Sequence, residues 1–196
     1  MRDQLQNYIG QFLDVPDEEW EPAWNLYSVR ELKKGDFLLK AGQVCKHVSF
    51  INQGCFRVHS NIGDTQVTSN FFFANNYGTD YASFLTRTPS PENIQALEDA
   101  QVVQLNFENM QRLYQRHPVW QQFGRLIAEY IFIHVENRKR SLLFQTAEER
   151  YLSLFKERPK VLENIPQHYI ASYLGISPET LSRIRKRLSE KSRSIS

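Results

Sequence analysis

The sequence predicts an α+β protein in three parts: an antiparallel β-roll (jelly roll), a long helix suited to pairing with a copy of itself, and a small helical domain built on a helix-turn-helix. Three observations carry this. Between Val29 and about Phe107, short β-rich runs alternate with turn signals and no helical stretch is evident, the pattern of an antiparallel barrel or roll. From about Val119 to Leu143, apolar residues recur every three or four positions and crowd more than one side of a helix. From Ile165 to Lys191, a capping serine, a helix-initiating proline, a turn glycine and the apolar spacing agree on two short helices joined tightly.

At 196 residues the chain suits one large domain and one small one. Leu5, Tyr8, Ile9 and Phe12 stand at helical spacing, and Pro16 opens a second helix containing Trp20 and Trp24, all read as packing residues. The candidate strands are Phe37–Ala41, Val48–Asn52, Phe56–Ser60, Gln66–Phe72, Asn93–Leu97 and Gln101–Phe107. Gly35-Asp36, Asn52-Gln53-Gly54, Asn61-Ile62-Gly63-Asp64 and Thr88-Pro89-Ser90-Pro91 supply the turns. A hairpin about Gln53-Gly54 would set Cys45 near Ile62 rather than Cys55, so the two cysteines are expected as buried thiols. Two cysteines fall short of a disulfide framework, a four-cysteine metal site or an iron–sulfur cluster, and no spacing singles out Cys45, His47, Cys55 or His59 for haem. No cofactor and no metal is expected.

In the long helix, Trp120, Phe123, Ile127, Tyr130 and His134 alternate spacings of three and four, the seam of a two-helix coil. Leu126, Ile131, Ile133 and Val135 add a second apolar side. Such a helix must bury one face against its own barrel and one against a partner, which predicts a parallel homodimer. Thr146-Ala147-Glu148-Glu149 fits a capping box, and Pro159 stops the helix it opens near Arg158. The expected divisions are 1–117 for the roll, 118–143 for the dimer helix and 144–196 for the helix-turn-helix domain.

The first helix of the pair spans about Pro166–Leu174, with Ile170, Ala171 and Leu174 on one face, and Gly175 ends it. Ser177 is the N-cap of the second helix and Pro178 its first residue, and the helix continues to about Glu190. Leu181, Ile184 and Leu188 form its packing side, while Glu179, Ser182, Arg183 and Lys186 face away. Such donors and acceptors suit a helix lying in the DNA major groove, where arginine bridges guanine O6 and N7 and a carboxylate accepts from cytosine. Gln167, Ser177, Thr180 and Arg187 complete the set expected at the DNA, and Arg185, Arg187 and Lys191 lie towards the phosphates. Charge agrees: the net +2 hides six Lys/Arg against one acidic residue in 180–196. The sequence lacks a nucleophile–base pair, metal triad or phosphate loop, an apolar run long enough for a membrane span, and a signal peptide. The expectation is therefore a cytoplasmic non-enzyme without a membrane partner.

The C-terminal stretch closely resembles the DNA-binding domain of the Crp/Fnr family, through Ala171, Leu174-Gly175-Ile176-Ser177, Glu179-Thr180-Leu181-Ser182-Arg183-Ile184 and Leu188. The roll resembles the family's cyclic-nucleotide-binding domain through Lys34-Gly35-Asp36, Ala41-Gly42 and Ile51-Asn52-Gln53-Gly54-Cys55-Phe56-Arg57-Val58. The resemblance implies a winged helix-turn-helix domain, base reading by Glu179 and Arg183, an inverted-repeat operator in double-stranded DNA, and RNA polymerase as a further partner. Pro178 departs from members that place another base-reading side chain there. The sensor departs too. Members that bind cyclic AMP carry a Gly-Glu pair and an arginine about ten residues on, whereas this chain reads Tyr77-Gly78-Thr79-Asp80 and then Ser90-Pro91-Glu92-Asn93. A glutamate beside a phosphate repels it. The reading is a homodimeric DNA-binding transcription regulator that does not respond to cyclic AMP. Its effector is either absent or a small molecule held by Tyr77, Gly78, Thr79, Tyr81 and Arg87. The alternative is a ligand-binding or protein-interaction module whose helix-turn-helix does not touch DNA.

Overall fold

The structure, a computed structural model, describes residues 1–193, with side chains through Glu190. Helices α1 (Arg2–Ile9) and α2 (Asp17–Trp24) lead into strands β1 (Ser28–Leu32), β2 (Phe37–Leu39), β3 (His47–Gln53), β4 (Cys55–Ile62), β5 (Thr65–Phe73) and β6 (Asn76–Gly78). Helix α3 (Tyr81–Thr86), β7 (Asn93–Ala96), β8 (Ala100–Asn106), α4 (Phe107–Arg116), α5 (Pro118–Phe144), α6 (Ala147–Glu157), α7 (Pro159–Asn164), α8 (Gln167–Leu174) and α9 (Pro178–Arg193) follow.

The strands form two four-stranded sheets, ordered β1-β8-β3-β6 and β2-β7-β4-β5. Along the β3–β8 pair, Ser49 faces Gln104 and Phe50 faces Val103; the Gln104 amide donates to Ser49 Oγ at 3.0 Å, satisfying two buried polar groups across the ladder. Phe50, Ile51, Phe56, Phe84, Ile94, Val102 and Val103 are fully enclosed and make the centre of the core. β3 and β4 do not form the expected hairpin. They belong to different sheets, and the chain crosses between them at Gly54, where φ is +102° and a Cβ would stand 2.5 Å from Ala100 Cβ. Cys45 and Cys55 are both buried free thiols.

Three elements in this half departed from the expected strand series. β1 reads Ser-Val-Arg-Glu-Leu with four of five residues exposed. It is an edge strand pairing with β8 alone, so it never needed the alternation that marks a strand. β6 is three residues long. Helix α3 breaks the β-series because the Asp80 carboxylate accepts from Ser83 N at 3.0 Å and caps it, and Arg87, at φ +60°, ends it.

The long helix α5 has 27 residues. Trp120 and Phe123 were expected in the dimer seam, but they are 2% and 9% exposed and belong to the roll's core. The Trp120 indole N–H donates to Glu19 Oε2 at 3.3 Å, a carboxylate also held by Arg116 Nε at 2.9 Å, so turning this face outward would strand a buried charge. Ile127 packs partly against the same core. Tyr130 and His134 are exposed, and so are Phe132, Ile133, Val135, Leu142, Leu143 and Phe144.

The chain divides into two compact units, one of residues 1–60 with 70–132, the other of 61–69 with the chain from 133 onward. The expected capping box is present: Glu149 N donates to Thr146 Oγ1 and Thr146 N to Glu149 Oε2. Pro159 does more than stop α6, since it opens α7. From Gln145 to Arg193 every element is helical. The wing strands implied by the family resemblance do not occur among the described residues.

His59 on β4 is 2% exposed, and neither ring nitrogen has a hydrogen-bond partner among the described residues. Burial, helped by Arg57, lowers its pKa below the ordinary 6.5. The unfolded chain therefore takes up a proton as pH falls through about 6.5 while the folded chain resists, and stability drops in that window. We expect His59→Leu to shrink the loss of melting temperature between pH 7.5 and pH 5.5, measured by circular dichroism. His47 and His134, also lowered by burial, leave a residual slope.

Candidate nucleic-acid interface

Helices α8 and α9 are built as their spacing dictates. Ile170, Ala171, Tyr173 and Leu174 of α8 are buried. Gly175 adopts the left-handed conformation, φ 69° and ψ 36°, and Ile176 N donates to Ala171 O at 3.0 Å to close the turn. Ser177 Oγ accepts from Thr180 N at 3.2 Å, so Ser177 is the N-cap of α9. Leu181 and Ile184 are 1% and 5% exposed and fix the rotation of α9.

That rotation turns Glu179, Ser182, Arg183, Lys186 and Arg187 outward, all exposed. Gln167, the first residue of α8, and Ser177 are exposed too, while Thr180 is half-buried. Glu179 carries its carboxyl below the usual range through the Ser177 hydroxyl, its own backbone amide and Arg183, so it is an acceptor at neutral pH. Arg183 Nη2 rests on Thr180 Oγ1 at 3.0 Å. Lys191 lies outside the residues whose side chains are described. The helix thus presents one acceptor and several donors on a single face, the requirement for reading base edges.

Three cations that composition alone would assign to phosphates are engaged in structure. Arg150 of α6 donates from Nε and Nη2 to Leu174 O, at 3.0 and 2.9 Å, and from Nη1 to Gln145 O at 2.6 Å. A guanidinium there meets the unpaired carbonyl at the C-terminus of α8, where a positive charge is favoured. Arg138 stacks over the Tyr173 ring, 3.8 Å from its centroid, and donates to the Tyr173 carbonyl. Arg187, expected at a phosphate, is ion-paired with Glu148 of α6. None of these pairings had a signal in sequence, because their partners are backbone carbonyls or lie on another helix.

The residues expected to hold an effector separate. Tyr77, Thr79 and Tyr81 line a common cavity. Gly78 is buried beneath Ile51 and Phe72, whose side chains stand 3.0 Å from where its Cβ would be. Arg87 does not join them: Nη1 donates to Cys45 O and Phe84 O, both at 3.3 Å, and its guanidinium lies over the Phe107 ring. Asp80 is spent capping α3, and Ser90 Oγ is engaged by the backbone of Glu92.

Residues 29–117 match the cyclic nucleotide-binding domain family. The transcriptional activator protein Anr of Pseudomonas aeruginosa is 27% identical over 177 residues, covering 82% of this chain and 70% of that protein. The fold is shared with FixK2 from Bradyrhizobium japonicum, at TM-score 0.70 and 16% identity over 85% of this chain and 86% of the other. It is shared too with the catabolite activator protein of Thermus thermophilus, at TM-score 0.58 and 20% identity over 92% and 87%. Among the described residues no helix is long and apolar enough to cross a membrane, and no group of His, Cys, Asp or Glu is arranged to hold a metal.

Arg150→Met keeps the aliphatic stem and removes the hydrogen bonds to Leu174 and Gln145. We expect a loss of about 2 kcal/mol of unfolding free energy, the usual magnitude for a charged donor to a part-buried carbonyl, read by urea denaturation.

Proposed function

We propose, starting from this likeness to the Crp/Fnr regulators, that the chain is a homodimeric, sequence-specific DNA-binding transcription regulator of cytoplasmic location. It acts without chemical catalysis, and cyclic AMP is not its signal. The observation that carries the reading is the outward face of α9, where Glu179 and Arg183 stand one helical turn apart on a helix whose rotation is fixed by Leu181 and Ile184. In the groove, the Arg183 guanidinium bridges guanine acceptors and the Glu179 carboxylate accepts from a cytosine amino group. Gln167, Ser177, Thr180, Ser182 and Lys186 border this contact, and Arg187 exchanges Glu148 for a phosphate.

Dimerisation follows from the second half of α5. Phe132, Val135 and Leu142, spaced by three and seven, are 66%, 59% and 48% exposed, more apolar surface than a lone helix leaves in water. Tyr130 and His134 lie beside this stripe. Two copies joined there present two α9 helices to an inverted repeat with half-sites one turn of DNA apart. RNA polymerase is the partner through which such a regulator acts. Against cyclic AMP stands the engagement of Arg87 by backbone carbonyls and of Asp80 at the α3 cap, which leaves these residues without a cation for the phosphate.

The test is selection of bound sequences from random duplex DNA by the purified full-length protein, followed by affinity against salt. We expect a palindromic consensus whose affinity falls steeply with added salt; absence of any enrichment by the dimer would instead favour a protein-interaction module. On the selected site, Arg183→Ala should cost roughly 1–3 kcal/mol per half-site and relax specificity at one base pair, whereas Arg187→Gln should weaken all sequences alike and flatten the salt slope. Phe132→Glu should convert the dimer to a folded monomer in sedimentation equilibrium.

A further inference from the structure

A cavity of about 540 Å³, counting the part open to solvent, lies in the N-terminal unit among the first sheet, α3, α4 and α5. Its walls include Val48 and Leu105 from the sheet, Tyr81 of α3, Tyr114 of α4, and Ile127 and Ile131 of α5; no strand of the second sheet contributes. It is therefore separate from the space between the two sheets.

Three observations define what fits. None of the residues lining the cavity carries a charge, so an enclosed phosphate or carboxylate would have no counterion and would pay its full desolvation cost. Four tyrosines, 27, 77, 81 and 114, border it. Burial raises the pKa of each, to about 12 for Tyr27 and Tyr114, which keeps the phenols protonated; Tyr77 and Tyr27 are hydrogen-bonded to each other, so Tyr81 and Tyr114 are the phenols left to donate to a ligand. Finally, α5 carries a glycine at the wall. A Cβ on Gly124 would fall 2.2 Å from the Tyr114 hydroxyl, so glycine is what lets that phenol lie against the helix.

We propose that this cavity is a binding site for an uncharged, flat, largely apolar small molecule carrying a hydrogen-bond acceptor such as a carbonyl, with phenolic hydroxyls as its donors. Its meaning as the effector site rests on the regulator reading above; its existence does not. A bound molecule would bear on α5 at Ile127 and Ile131, on the helix that continues into the exposed apolar stripe.

The experiment titrates the full-length protein, without DNA, with 6-propionyl-2-(dimethylamino)naphthalene, an uncharged naphthyl ketone whose emission moves to the blue in apolar surroundings. We expect saturable binding of one molecule per chain. Val48→Trp on the sheet wall and Ile131→Trp on the helix wall should each weaken it at least tenfold, with melting temperatures kept, and excess cyclic AMP should not displace it. In the unsubstituted protein, nuclear Overhauser contacts should connect the naphthalene protons to the Ile127 and Ile131 methyls. Lack of saturable binding, displacement by cyclic AMP, unchanged affinity in a folded variant, or contacts to other methyls would each overturn the site. Because the readout needs no DNA, a failure of DNA binding would count against the regulator reading alone.

Discussion

Helix α5 is the constraint on which the rest depends. A helix of 27 residues is about 40 Å long, more than one small domain covers, and its sequence is apolar on more than one side. The structure resolves this by dividing it. Its first turns, through Trp120 and Phe123, are sunk in the roll's core and locked by Glu19, which Trp120 and Arg116 share. Its later turns carry Arg138 onto Tyr173 and leave Phe132, Val135 and Leu142 exposed. One helix thus meets both demands, burying its first turns and leaving apolar side chains exposed in its later ones.

In the C-terminal helices the basic residues divide their labour. Arg183 and Lys186 point outward from α9 and add to the positive field of the C-terminal segment. Arg150 and Arg138 look inward, and both spend their donors on carbonyls at the end of α8, Leu174 and Tyr173. A tight turn between helices leaves such carbonyls without intrahelical partners, and a guanidinium satisfies them while complementing the helix dipole. Arg187 stands between the two roles. Its pair with Glu148 ties α9 to α6, yet both side chains keep some exposure, so the pair adds little to stability.

In the N-terminal unit, polar and aromatic residues of one short segment serve different ends. The segment 77–90 folds as strand, capped helix and turn, and its polar groups close on themselves: Asp80 on Ser83, Ser83 on the Thr88 carbonyl, Arg87 on Cys45 and Phe84. The aromatic residues of the same segment, Tyr77 and Tyr81, turn to the apolar cavity. A monoanion needs a cation where it binds; a neutral aromatic molecule needs walls and one or two donors.

What the sequence determined by itself was whatever is written locally. Ser177 with Pro178 fixed the start of α9, Gly175 the end of α8, Thr146 with Glu149 the start of α6, and the apolar spacing of Leu181 and Ile184 fixed which side of α9 faces outward. Each rests on hydrogen bonds or periodicity within a few residues. Tertiary structure alone decided what depends on neighbours distant in the chain. The period through Trp120, Phe123, Ile127 and Tyr130 is the same whether a residue faces its own core or a partner, and only the packing of Glu19, Trp20 and Arg116 around Trp120 settled that its first turns face inward. The strand pattern about Gly54 was legible, but not that β3 and β4 enter different sheets, since alternation reports a strand's buried face and not its neighbour. Of the cavity, only Tyr77, Thr79 and Tyr81 were singled out in the sequence; the rest of its wall joins residues from Tyr27 to Ile131 that only the folded chain brings together.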